Sequence, residues 1–413
     1  MATITPASSS STSNNSRIAN NPGVTVRRWF LVLPALGTLL MFAPAQSVAL
    51  RQAAPDDAKP THSDPMDEAI DGGLLYLSRT QTTDGSWPAN AGAEWIRPGP
   101  NLPAQRVGGD MAVTALAVMA FLSAGHVPGE GRYGEITANG IRYVVNNQQT
   151  NGLLAPKQAG GTEMYYHGIC ALMLAEVAGM TEAREAEELK RRLESAIAII
   201  LAGQRKGTGF GQDRERGGWR YTVAGLDADL SVTGWQVLAL RAAKNVGSDI
   251  PHERILAAND YVKRCFEARS GGFTYTTYGS VTVPCTGVGI LCLELGGKDS
   301  HQSPEALKAA GYLLKNPLSP FQKHFFYGVY YTSQAMFQLG DNYWRSYRDD
   351  LHKLLLRTNS PNANGSWSGR GFDDLRYGPA YCTAMAVLAL TVEYRYLPIY
   401  QRFEEPLERD GKE

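Results

Sequence analysis

The sequence predicts an all-α fold, an α/α toroid: a six-hairpin α/α barrel of about twelve helices, closed on itself. Two observations carry this. A helix-end and turn pattern, Gly73-Leu-Leu-Tyr76-Leu77 to Gln81 and then Gly85-Ser86-Trp87, recurs in weaker copies down the chain. Between the copies, amphipathic stretches alternate with stretches that are apolar on nearly all sides. A helix without a polar face has to be buried against others, so the second kind forms an inner ring and the first an outer one. The content of 43 Gly agrees, because each turn needs one.

The units follow at periods of roughly 45 to 65 residues, which marks a repeat architecture. The second runs from Gly140 through Tyr143-Val144 and Gln148 to Gly152, with Leu154 in the aromatic place. The third has Gln204, an insertion, then Gly217-Gly218-Trp219. The fourth leads from Tyr261-Val262 to Gly271-Gly272-Phe273, with Phe266 standing where Gln would. The fifth, Gly311 to Lys315, lacks both Gln and aromatic, and the sixth ends at Asn364-Gly365-Ser366-Trp367. Outer helices are predicted over stretches such as Met66–Thr80 and Leu193–Gln204, and Thr181–Leu193 reads as solvated. Inner helices are predicted at Met111–Ala124, Gly168–Ala178, Val232–Ala243, Thr286–Leu295, Tyr330–Leu339 and Cys382–Val392. The Gln amide satisfies groups at a helix end, Gly takes the left-handed turn, and the aromatic staples neighbouring units.

Residues 1–49 read as an export signal, with Arg27-Arg28 before an apolar run and small residues at Ser47-Val48-Ala49; an uncleaved anchor is the alternative. The protein is therefore expected outside the cytoplasm, periplasmic or membrane-associated. Residues 50–65 read as a linker, 66–400 as the toroid and 401–413 as a disordered tail. Equal numbers of basic and acidic residues, 40 of each, give no reason to expect nucleic acid as a partner. The five cysteines (Cys170, Cys265, Cys285, Cys292, Cys382) are scattered, without a CxxC pair, and suggest no disulfide framework.

The Gly73 to Trp87 stretch resembles the repeat shared by squalene cyclases and protein prenyltransferase β subunits. The resemblance to this prenyltransferase/squalene oxidase repeat superfamily, squalene-cyclase-like, covers about residues 66–400. It implies a terpenoid-cyclase type of toroid and leaves the activity to be argued from site residues.

In a toroid the same end of every inner helix faces one mouth. The residues opening those helices therefore gather there: Asp110; Tyr165, Tyr166 and His167; Asp227 and Asp229; Cys285; His324, Tyr327 and Tyr330; Tyr377 and Tyr381. With Trp219 and Tyr221 of the third turn, they predict an aromatic-lined cavity for an isoprenoid or similar apolar ligand, since π faces stabilise developing positive charge. Asp227-Ala228-Asp229-Leu230-Ser231 resembles the aspartate motif of class II terpene cyclases. The resemblance implies Asp229 as proton donor and Asp227 as its neighbour, although Leu230 stands where the family has a last Asp. The residues alone also permit Asp229 or Ser231 to be simply the cap of the helix near Val232. A prenyltransferase-like zinc site lacks its Asp-x-Cys pair, so no metal or organic cofactor is expected. Two roles stay open: proton-initiated cyclisation or isomerisation of an isoprenoid, and a non-catalytic exported binding module or scaffold. A single toroid would have to pair into a homodimer, take a small substrate or leave its pocket open. An apolar ligand also allows association with a membrane surface.

Overall fold

A computed structural model describes residues 64–89, 109–181, 183–208, 212–298 and 300–401. The predicted signal, most of the linker and most of the tail lie outside the described residues.

Twelve α-helices alternate in two layers among the described residues. The outer ones are α1 (Pro65–Thr80), α3 (Gly134–Asn146), α5 (Ala183–Gly203), α7 (His252–Arg264), α9 (Pro304–Lys315) and α11 (Asp341–Lys353). The inner ones are α2 (Met111–Ser123), α4 (Glu163–Met180), α6 (Leu230–Asn245), α8 (Val283–Leu295), α10 (Phe325–Gln338) and α12 (Phe372–Leu390). Each inner helix packs on the next, and α12 returns to α2 and α1, so the ring closes. All of α2 but Ala112 is buried, as an unbroken apolar run requires. The outer helix α7 buries only Ile255, Ala258, Asn259, Tyr261 and Val262, one stripe at helical spacing.

The recurring turn explains the register between units. Gly85 and Gly365 have φ of +88° and +86°. A Cβ on Gly85 would stand 2.5 Å from the carbonyl oxygen of Asn139 in α3, and one on Gly365 would collide with the backbone of Gly72 in α1. Glycine is needed for both the left-handed turn and the close approach. The second of these contacts joins the last unit to the first. Thr391 Oγ1 donating to Ser123 Oγ (2.8 Å) and Tyr394 to Asp67 Oδ1 (2.5 Å) add to the same seam. The Gln amides clamp the turns: Gln81 Nε2 donates to Gly85 O and to Ile136 O of the next outer helix, both at 2.9 Å. Gln148 and Gln204 repeat the pattern on Gly152 with Arg192, and on Gly217 with Arg254. Where Phe266 replaces Gln, a short antiparallel hairpin, β1 (Phe266–Glu267) with β2 (Gly272–Phe273), holds the turn instead.

Three inner helices begin earlier than their apolar runs. α4 starts at Glu163, α10 at Phe325 and α12 at Phe372, so tyrosine-rich first turns belong to the helices. The periodicity of apolar residues had no means of including the polar openings of α4 and α12. In α12, Gly378 (φ +80°, ψ +178°) breaks the helix before Pro379, whose ring forbids a continuous backbone ladder.

The end of the barrel away from the mouth is covered by the chain itself. After α12 the segment Leu397–Tyr400 lies across α4 and α6. Tyr400 and Tyr330 share a hydrogen bond of 2.5 Å between their hydroxyls. Gln338 Nε2 donates to Tyr400 O (3.1 Å), and the Ile399 amide donates to Glu176 Oε2 (3.3 Å). Burial pushes the Glu176 carboxyl up to about 8.

Candidate functional site

The inner-helix N-termini meet at the mouth, and each sequence-selected residue has a definite place there or below it. Asp229 caps α6: its Oδ1 accepts from the Val232 amide and from Ser231 Oγ, both at 2.8 Å. The side chain is fully buried. Its other oxygen, Oδ2, stands outside the cap, 3.4 Å from Arg220 Nε and near the Tyr275 hydroxyl. Burial raises its pKa to about 6, against the opposing pull of the Val232 amide, Ser231, Arg220 and the Tyr275 hydroxyl. The cap is therefore made by one oxygen of the carboxyl, and the other takes no part in it.

Three tyrosines surround this carboxyl. Tyr165 hydrogen-bonds Ser231 Oγ and stacks on Tyr221 at 5.6 Å between ring centroids. Tyr221 and Tyr275 join through their hydroxyls. Burial and then the charge of Asp229 push the Tyr275 phenol up. The Arg220 guanidinium lies over Tyr221 at 4.7 Å and over Tyr275 at 5.6 Å. Its Nη1 also reaches Asp227 Oδ2 at 3.4 Å, but Asp227 is exposed, unlike its neighbour.

The loop carrying the two aspartates is held from below. Arg205, buried, donates to the carbonyls of Asp227 (2.7 Å), Gly203 (2.7 Å), Val223 (3.0 Å) and Thr222 (3.1 Å). Buried Glu215 accepts from the Ala228 amide at 2.9 Å. Desolvation lowers the Arg205 pKa, and the nearby Asp227, Asp229 and Glu215 offset part of that.

Across the mouth a second acid repeats part of the plan. Asp110 caps α2 through the Val113 amide (2.9 Å) and accepts from the Tyr166 hydroxyl (3.0 Å). Burial raises its pKa. Tyr377 and Tyr381 lie 5.2 Å apart between these two groups. After burial, Asp110 and then Tyr377 add to the upward push on Tyr166, while Tyr377 and Tyr165 add to that on Tyr381. Tyr327 donates to Ser231 O at 3.3 Å. His324, exposed, precedes α10 with φ +58°.

Three expected lining residues are wall residues instead. His167 is buried: Nδ1 accepts from the Leu154 amide (3.0 Å), Nε2 donates to Ala196 O (2.9 Å), and burial lowers its pKa to about 4. It stands where four of the other units use Thr114, Thr233, Thr286 and Thr383 to bind the backbone amide of the turn aromatic. Trp219 is fully buried and donates through Nε1 to Ile200 O (2.7 Å). Tyr330 lies in the barrel, stacked on Trp235 at 5.3 Å and packed on Tyr331 at 5.0 Å. These rings fill space that the sequence reading assigned to a cavity. Beside the Tyr400 plug, next to Gln334 and Ser123, lies a cavity of about 10 Å³, room for about one water.

Sequence reasoning missed Arg205, Glu215, Arg220 and Tyr275. One signal was present for Tyr275: it follows Phe273 by two residues, as Tyr221 follows Trp219. Among the described residues no group of three His, Cys, Asp or Glu side chains is placed to hold a metal ion.

No family model and no curated protein matches the chain. Solved structures do. The GH76A α-1,6-mannanase of Salegentibacter sp. HEL1_6 aligns over 81% of this chain and 100% of its own, with TM-score 0.58 and 11% identity. The type II terpene cyclase MstE from Scytonema aligns over 81% and 99%, with TM-score 0.51 and 16% identity. The chain has the α/α toroid fold. It shares this α/α toroid with a terpene cyclase and with a glycosidase, and at these identities the likeness shows the fold alone.

Proposed function

We propose that the mouth is an acid-catalytic site in which Asp229 delivers a proton from Oδ2 to a ligand lying across the tyrosine ring. The observation that supports this reading is the divided carboxyl: Oδ1 is committed to the helix cap, while Oδ2 is buried outside the cap, beside Arg220 and among tyrosines. A pKa of about 6 keeps a useful fraction protonated near neutral pH. Once the proton has left, Arg220 and the α6 N-terminus are in place to hold the carboxylate.

The same magnitude bears on the substrate. An acid with a pKa of about 6 suits protonation of an oxygen, such as an epoxide or ether oxygen, better than protonation of an unactivated alkene. The first reading is therefore an oxygenated isoprenoid. Its C–O bond breaks as the oxygen takes the Asp229 proton, the tyrosine faces stabilise the carbocation, and loss of a proton to water gives the product. The filled barrel favours a second reading, a glycan lying in an open mouth, where the same proton would go to a glycosidic oxygen. The Salegentibacter enzyme has been seen with α-1,6-mannotriose, and MstE with geranylgeranyl dihydroxybenzoate as substrate.

The test is to incubate wild type and Asp229→Asn with isoprenoid epoxides and with α-linked oligosaccharides, and to follow products by mass spectrometry. Lipid extracts of both purified proteins are compared alongside. Turnover of either class by wild type alone supports the acid and names the substrate. Equal behaviour of the two proteins toward every compound removes the acid and leaves a binding module.

A further inference from the structure

The two ends of the toroid differ in their surfaces as well as in their interiors. The loops leading from outer to inner helices, with the first turns of α12, form the mouth face. Four large apolar side chains stand on it more than half exposed: Leu226 70%, Tyr278 64%, Phe321 72% and Leu375 60%. Among the described residues these are the only large apolar side chains that exposed, and they come from four successive units. Cations sit beside them. Arg214 lies over the Tyr278 ring at 5.4 Å, Arg370 over Phe321 at 5.3 Å and Arg376 over Tyr377 at 5.9 Å.

The charge balance follows the same division. The described mouth-face residues carry eight exposed Lys or Arg against three exposed acids, Asp84, Asp213 and Asp227. The connecting segments of the far end carry three, Arg132, Lys298 and Arg395, against Glu130 and Asp249. A chain of zero formal charge thus presents one basic face, and that face also holds the apolar tips.

We propose that the mouth face docks on an anionic lipid bilayer, the apolar tips entering the headgroup region and the arginines pairing with lipid phosphates. Separate apolar tips ringed by cations fit the bilayer interface, where apolar burial and attraction to anionic lipid add together. No helix of the described residues is long and apolar enough to cross a membrane, and the proposed contact is made by the mouth face alone. In this position the mouth opens toward the lipid. The inference goes beyond the acid chemistry and stands without it.

All five cysteines are buried, so a new surface cysteine can be labelled alone. The full chain is labelled with a polarity-sensitive dye at Ser280→Cys beside Tyr278, or at Ser346→Cys on the outer wall, both exposed positions. Each is titrated with phosphatidylcholine vesicles, with and without phosphatidylglycerol. The expected result is a blue shift at position 280 only, and only with anionic vesicles. Arg370→Glu with Arg376→Glu should raise the half-saturating lipid concentration at least about thirtyfold. Asp229→Asn should leave the shift unchanged, which separates this proposal from the acid reading. Equal shifts at both positions, equal response to both vesicle types, or no shift at position 280 would overturn it.

Discussion

The barrel has a buried carboxylate near each end, and the two stand in different surroundings. Asp229 at the mouth and Glu176 near the far end both rise in pKa because burial disfavours their charge, to about 6 and about 8. Around Asp229 stand a helix N-terminus, Ser231, a guanidinium and three tyrosines. Glu176 has a single backbone amide, that of Ile399 in the covering segment. The first environment can take up a negative charge when the proton leaves; the second cannot. On the proposed reading the number of groups ready to receive the charge, rather than burial, marks the acid.

The largest effect that would break this comparison is on turnover. Asp229→Asn is expected to lower it by roughly a hundred- to ten-thousandfold, the usual range for a lost general acid. At low pH, where the wild-type carboxyl is protonated, stability should change by less than about 1 kcal/mol, because Asn caps a helix as well as Asp does; near pH 7 the variant should be the more stable by up to about 3 kcal/mol, at about 1.4 per pKa unit. Product assay and denaturant unfolding on the same samples check both halves. Trp235→Ala, which removes the stack on Tyr330 beneath the mouth, should cost about 3–5 kcal/mol of unfolding free energy.

The pH dependence sharpens the contrast. A carboxyl whose pKa is raised on folding holds its proton in the native state, so its contribution is full below the unfolded value and is lost as pH rises to the folded one. For Glu176 the loss runs from 4.5 to about 8, and for Asp229 from 3.8 to about 6. Glu176→Gln should flatten the fall of stability across the higher window, a change of a few kcal/mol at about 1.4 per pKa unit. Asp229→Asn should flatten only the lower one. Urea unfolding from pH 4 to 8.5 reads both. The smallest effect belongs to Thr233→Val, which leaves the Trp219 amide without its partner at a cost of about 1–3 kcal/mol.

Much of the ring was legible because its physics is local. A left-handed Gly before a large side chain, and helices apolar on every face, are patterns in consecutive residues. The helices and their two layers followed from them. The site was legible only where a residue opens a helix, as Asp229, Tyr165 and Tyr381 do. His167 was misplaced because its partner, the Leu154 amide, lies in the preceding turn, where the other units use Thr. Arg205 gave no signal, since its four carbonyl partners come together only when the loop has folded. The filled barrel was hidden as well: Trp235, Tyr330 and Tyr400 belong to three separate segments, and aromatic content alone does not separate a lining from a plug.

The most direct test of the central claim needs no substrate. Infrared difference spectra of wild type minus Asp229→Asn, recorded from pH 4 to 8, isolate the carbonyl stretch of the protonated Asp229 carboxyl. The account predicts a band of a buried, protonated carboxyl that is lost with a midpoint near pH 6. A difference spectrum without that band at any pH in the range would mean that Asp229 stays ionised, and the mouth would have no acid.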